Sequence, residues 1–192
     1  MREELKKELI RKAIHLTGIS VPIFYYYFDR DLTILYAATA LLLFVVLEYV
    51  RVRAHSLFPL PKTASLIQRM KERTAVAANV YFCVAAVVSI YFFKEFCVVV
   101  GLSTALLSDA AAAIIGTGVG RHRLKNGKTL EGTVAGALSA FLISSLLGAS
   151  LTLSIVLGIV FCVIDLIDFG FDDNFIMPLL MVIVAELGWW LP

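Results

Sequence analysis

The stretch Phe96-Cys-Val-Val-Val-Gly-Leu-Ser-Thr-Ala-Leu-Leu-Ser-Asp109-Ala-Ala-Ala-Ala-Ile-Ile115 decides how the whole chain reads. It is apolar from end to end apart from one carboxylate, and as a helix it is long enough to cross the roughly 30 Å of hydrocarbon in a bilayer. An ionisable group inside such a span costs roughly 2.5 to 3.5 kcal/mol on insertion scales and normally faces a polar interior. Ala105, Ala112, Ala113 and Gly116 lie three, four and seven residues from Asp109, so its face carries small residues that let a second helix approach closely. Asp109 is therefore expected inside the protein, either as a functional group or in a structural ion pair with Arg or Lys.

Working outward, similar runs recur. Ile14 to Phe28 follows a charged amphipathic segment over residues 1–13; Leu32 to Val50, Thr74 to Phe93, Val134 to Leu147, Leu151 to Ile164 and Phe175 to Trp190 complete the set. These predict an all-α bundle of about seven transmembrane helices in a single membrane domain, 1–192. Composition agrees: 60% of the 192 residues are hydrophobic, 17% are charged and the mean hydropathy is +0.88, against about 45–50% apolar and 25% charged in soluble domains. Strands are not expected, because the runs lack alternating polarity and open sheet edges go unsatisfied in lipid. Pro178 falls near the start of the last helix, where a missing N–H does little harm, and Trp189 and Trp190 suit an interfacial anchor. The charged N-terminus lacks a small-residue cleavage pattern, so a removable signal peptide is not expected. Cys83, Cys97 and Cys162 all fall in apolar runs without CxxC spacing and are expected to be packing residues.

The net charge of +2 argues against a nucleic-acid partner, but the charges are distributed unevenly. Fifteen of the seventeen Lys and Arg precede the first span or lie in 51–73 and 121–128; only Arg30 and Lys94 are elsewhere. The positive-inside rule then puts the N-terminus and these loops in the cytoplasm of a multi-pass protein. The acidic loop 165–174 must share that side, although it contains no Lys or Arg. Asp165, Asp168 and Asp172 are spaced i, i+3, i+7, one face of a helix continuing past Ile164. Such stacked carboxylates repel unless a cation or a basic loop neutralises them, and magnesium, which takes one or two carboxylates plus phosphate oxygens, suits the need. The segment 116–133 places Gly116, Gly118 and Gly120 beside Arg121, Arg123, Lys125 and Lys128, a pattern expected to cradle phosphate through backbone amides. It is not a Rossmann fingerprint, since Arg121 stands where glycine is needed, nor a Walker A loop, since His122 does.

Ser108-Asp109 through Gly116, then Gly120-Arg121 and Lys128-Thr129-Leu-Glu131-Gly132-Thr133, resembles the central motif of the CTP-dependent lipid kinases, the group of dolichol kinase, phytol kinase and CTP-dependent diacylglycerol kinase. Arg11-Lys12-Ala-Ile-His15 resembles that family's N-terminal motif, and Asp172-Asp173-Asn174 ahead of Pro178 its closing motif. The central motif is also similar to that of phosphatidate cytidylyltransferases, whose Gly-, His- and Asp-rich ending has no counterpart after Leu151. The family often has glutamate before the final loop, where this chain offers Asp165 or Asp168.

The resemblance implies phosphoryl transfer from CTP to the primary hydroxyl of a polyprenol, phytol, geranylgeraniol or diradylglycerol. A CTP:lipid-phosphate transferase and a non-enzymatic carrier or scaffold are the alternatives, though matching repeat halves, expected in a carrier, are not visible. In this reading Asp109 with Asp172 or Asp173 holds Mg2+ on the triphosphate, and Lys128, Arg121, Thr129, Gly132 and the amides of Gly116, Gly118 and Gly120 hold its oxygens. Glu131 orients Lys128 or joins the metal shell. Asp173 accepts the hydroxyl proton, with His15 the second candidate base. Beyond nucleotide and lipid alcohol the expected partners are membrane lipids; the oligomeric state, a homodimer included, stays open. His55 and His122 read as surface residues, Asn79 and Glu48 as groups that pair across helices, and Glu72 and Arg73 as a helix-entry cluster.

Overall fold

The computed structural model describes residues 2–53, 78–124, 126–167 and 169–192, apart from the side chains of 2–4, 7 and 51–53. His55, Glu72, Arg73, Lys125 and Asp168 lie outside them. The described residues are helical, with no strand: α1 (Arg2–Leu16), a 3-10 turn (Thr17–Ile19), α2 (Ser20–Tyr27), α3 (Arg30–Arg53), α4 (Ala78–Phe92), α5 (Glu95–Val119), α6 (Leu130–Leu146), α7 (Leu151–Leu166) and α8 (Asp173–Gly188). Two described helices, α3 and α5, are long and apolar enough to cross a membrane. The runs expected to span at α4, α6 and α7 form helices of 15, 17 and 16 residues, which rise only about 23–26 Å. By length and composition, two of the seven expected spans are matched among the described residues.

α5 is the axis of the fold, packed against α6, α8, α1 and α2, while α3 leans on α4 at the periphery. Small residues set the closest crossing. Gly132 and Gly136 of α6 meet Ala112 and Gly116 of α5, and a Cβ on Gly132 would lie 2.6 Å from the Ala112 carbonyl oxygen. The small-xxx-small pairing read around Asp109 therefore serves α6. On the other side α8 runs antiparallel to α5: Gly101 abuts Val182, Lys94 pairs with Glu186 at 3.2 Å, and Asp109 shares a cleft with Asp173. Trp189, expected at an interface, is exposed and lies under the Lys94 ammonium, 3.9 Å from ring centre.

Two further expectations change. α8 begins at Asp173, so Pro178 sits beyond its first turn, inside the helix, and withholds the donor that would otherwise bond the Asn174 carbonyl. Of the 1–13 segment, residues 2–13 belong to a helix running to Leu16 in which Glu8, Lys12 and His15 are buried, whereas Leu9, Ile10 and Ile14 are exposed. This is an inverted amphipathic helix. Its buried stripe repeats at i, i+4, i+7 because those positions face α5.

Replacing Gly132 by Ala forces the α5–α6 crossing apart and is expected to cost about 1–3 kcal/mol. Gly118→Ala, whose Cβ would meet only Leu5 at 3.7 Å, should be neutral or stabilising by up to about 1 kcal/mol. Thermal unfolding in detergent checks this: equal melting temperatures for the two variants would contradict the packing assignment.

Candidate functional site

Three segments converge at one end of the bundle. Asp109 stands in α5, ten residues before the helix C-terminus at Val119. α1 delivers Lys12, whose Nζ is ion-paired to Asp109 Oδ2, and His15, whose Nε2 lies 3.8 Å from the same oxygen. The alternative of a lysine ion pair is thus realised. Lys12 is only 3% exposed, while Asp109 keeps 26% exposure. The opening is a narrow cleft lined by His15, Ala105, Leu106, Asp109, Asp173, Asn174, Met177 and Pro178. Asp109 and Asp173 therefore share one cavity although 64 residues of chain, counted from 109 to 173, separate them. As it stands the cleft has room for about one water, not for a triphosphate. His15 packs edge-on against Phe82 and interacts with Asn79 of α4, the cross-helix partner expected for that amide.

The second lysine is placed by the loop before α6. Arg123 and Thr129 pair antiparallel, Leu124 N–H bonds the Lys128 carbonyl at 2.8 Å, and Gly127 closes the turn at φ +83°, a conformation that favours glycine. Asn126 tethers this turn to the end of α7, its Nδ2 donating to the carbonyls of Asp165 (2.9 Å) and Leu166 (3.3 Å) while its Oδ1 accepts from Lys128 N–H. Lys128 Nζ is thereby set between Asp165 Oδ1 and Asp173 Oδ2, 2.9 Å from each. Asp165, 3% exposed, also accepts from Thr133 Oγ1 at 2.5 Å. Burial would lower the Lys128 pKa, but Asp165 and then Asp173 outweigh it and raise the pKa above its ordinary value of 10.5.

Several sequence-based assignments are corrected. Gly116 and Gly118 lie inside α5 and Gly120 caps it, its N–H bonding the Gly116 carbonyl at 3.2 Å. Helical amides are spent on carbonyls one turn back, and a helix C-terminus carries the negative end of the dipole, so this stretch is no anion cradle. Gly116, Gly120 and Gly132 serve packing around Thr129, whose hydroxyl caps α6 by accepting from Gly132 N–H at 3.2 Å. Glu131 does not orient Lys128; it accepts from His122 N–H at 3.2 Å and sits 2.7 Å from His122 Nδ1, closing the loop on α6. Arg121 is exposed. Asp172 caps α8, accepting from Asn174 N–H at 2.9 Å and Nδ2 at 2.7 Å, and so is not aimed at the cleft. α7 stops at Leu166 with Ile167 extended, so Asp165 and Asp172 do not share a helix face.

Asp109 and Asp173 are the two carboxylates that line the cleft, and among the described residues no group of three or more His, Cys, Asp or Glu could hold a metal. Sequence reasoning passed over Asn126 as a tether and Thr133 as an Asp165 partner; the Asn126-Gly127 turn signal was the available cue. The chain matches no protein-family model, no curated protein and no solved structure.

Lys128→Met leaves Asp165 buried without its cation. We expect a loss of about 1–3 kcal/mol, below the 3–5 of a fully enclosed pair because Lys128 is 31% exposed. Since the folded pKa is raised, this stabilisation is complete below pH 10.5 and fades as pH climbs through the folded value. Wild-type and variant melting curves should therefore differ at pH 8 and converge in strong alkali; an unchanged gap there would remove Lys128 from the account.

Proposed function

We propose that the protein is a CTP-dependent kinase of membrane lipid alcohols, an integral membrane enzyme of about seven spans with its N-terminus and active site on the cytoplasmic side. One observation carries the reading: Asp109 and Asp173, each held by a lysine, face one cleft at the end of the bundle where the basic loop before α6 also lies. Phosphoryl transfer asks a protein for little more than charged clamps on the phosphates, carboxylates for the accompanying cation and an oriented hydroxyl.

The membrane setting is supported by exposed apolar side chains, among them Leu35, Leu42, Leu43 and Leu138, and by α1, which buries Glu8 and Lys12 and presents Leu9, Ile10 and Ile14 outward. Water penalises such an arrangement; hydrocarbon favours it. Leu5 lies 3.7 Å from where a Cβ on Gly118 would stand, so the N-terminal helix and the α5–α6 loop belong to one end, which gathers the basic residues Lys6, Arg11, Lys12, Arg121, Arg123 and Lys128. That asymmetry supports a cytoplasmic orientation of this end.

In the mechanism Asp109 and Asp173 would hold Mg2+, which neutralises the charge that builds on the phosphates. Lys128, placed by Asn126 and Asp165, binds phosphate oxygens. The lipid tail stays in the bilayer and its hydroxyl reaches the cleft, where Asp173 or His15 accepts the proton. The oxygen–phosphorus bond to the alcohol forms as the bond to CDP breaks. The lipid-phosphate cytidylyltransferase reading differs in its leaving group, pyrophosphate.

Purified protein given Mg2+, a panel of polyprenols and diradylglycerols, and CTP labelled on its terminal phosphate should release CDP and transfer label to one alcohol. Asp109→Asn and Lys128→Ala should each lower turnover by at least about 10²-fold while the protein still unfolds cooperatively. Pyrophosphate release would move the assignment to the cytidylyltransferases, and the absence of both products would favour the carrier.

A further inference from the structure

We infer that exposed aromatic side chains at both ends of the bundle seat in the two headgroup regions of one bilayer, about 24 Å apart by the rise of α8. The partner of the end far from the cleft is thus the lipid–water boundary. This rests on the reading of the chain as membrane-spanning and is independent of its activity.

Three pieces of chain meet at the end far from the cleft. Arg30, at the start of α3, donates from Nη2 to the Phe93 carbonyl at 3.0 Å and so ties the α2–α3 turn to the α4–α5 turn. Lys94 ties the latter to the end of α8, through Glu186 at 3.2 Å and the face of Trp189. Each piece presents a pair of rings to the outside: Tyr27 and Phe28, Tyr91 and Phe92, Trp189 and Trp190, all between 50% and 73% exposed. Water penalises so many bare rings on one rim. Plain hydrocarbon does not suit them either, because charged Asp29, Arg30, Lys94 and Glu186 stand among them. Rings with polar neighbours fit the boundary between the two, where an apolar body and a wet edge are both satisfied.

The pattern repeats at the other end. Tyr49 lies near the far end of α3, and Phe169 and Phe171 lie in the connection that leads from α7 to Asp173; all three are exposed. Between the two bands the exposed side chains are aliphatic, as at Leu42 of α3, Leu138 of α6 and Ile159 of α7. The spacing follows from helix length. α8 has 16 residues between the cleft and the far rim and rises about 24 Å, and α4, α6 and α7 have 15, 17 and 16. Helices of one common length, each short of the roughly 30 Å of ordinary hydrocarbon, fit a bilayer that thins around them at modest cost. Asp109 stands 14 residues, about 21 Å, along α5 from Glu95, so the cleft sits at the level of the second band, where the polar heads of lipids lie.

The test reads tryptophan fluorescence of the full chain in phosphatidylcholine vesicles whose acyl chains carry bromine, a contact quencher, either near the headgroup or near the methyl end. Trp189 and Trp190 are the chain's two tryptophans, so the wild type needs no label. Bromine near the headgroup should remove more of its emission than bromine near the methyl end. With both tryptophans replaced by Phe, Tyr49→Trp should show the same order from the other boundary, while Leu42→Trp should reverse it. Tyr49 and Leu42 are exposed, so neither replacement disturbs packing; should a variant nevertheless fail to fold, the wild type decides alone. Stronger loss from the deeper bromine in wild type, or no loss from either, overturns the inference, since the rings would then lie in hydrocarbon, in water or under another protein chain. The reversed order at Tyr49→Trp overturns the second band. If wild type goes unquenched, quenching of Leu42→Trp spares the membrane reading and its absence overturns that reading too. The kinase reading is judged apart, by the labelled-CTP assay.

Discussion

The contact between Lys12 and Asp109 governs how this molecule is assembled. A carboxylate in the middle of an apolar helix can be accommodated only if a counter-charge is brought to it, and α1 supplies one by turning its charged stripe toward α5. Removing one member of such a buried pair typically costs 3–5 kcal/mol. The pair therefore fixes the rotation of α1 about its own axis and, through the 3-10 turn at Thr17–Ile19, the start of α2. The outward display of Leu9, Ile10 and Ile14 follows from that rotation.

Close helix packing makes the second contribution. Ala112 and Gly116 against Gly132 and Gly136 bring α5 and α6 near enough for backbone contact, which anchors the connecting loop. Asn126 then ties the loop to the C-terminus of α7, and Lys128 comes to rest between one carboxylate from α7 and another from α8. Each lysine is thus positioned by a different part of the fold, α1 for Lys12 and the loop for Lys128, and the two meet acids that line or border a single cleft. The arrangement sets two lysines against three aspartates and is closed as it stands.

Much of this was legible in the chain. The apolar runs determined that the protein is helical, and the lone carboxylate between small residues determined that Asp109 sits inside it, since no other placement avoids the cost of an isolated charge. That Asn79 would pair across helices and that the 165–173 carboxylates would need neutralising were also readable from spacing and charge alone.

Tertiary structure decided the rest. Glycine content suggested a phosphate loop at 116–120, yet α5 continues through it, because a glycine that permits a turn equally permits a close helix crossing and only the neighbouring helix selects between them. The i, i+3, i+7 spacing of the aspartates suggested one helix face, but α7 ends at Leu166, where Asn126 takes up its terminal carbonyls, a partner 40 residues away in the chain. Which lysine meets which carboxylate was equally hidden: sequence shows the charges that must be paired, whereas the pairing itself depends on the rotation and register of helices that touch only after folding.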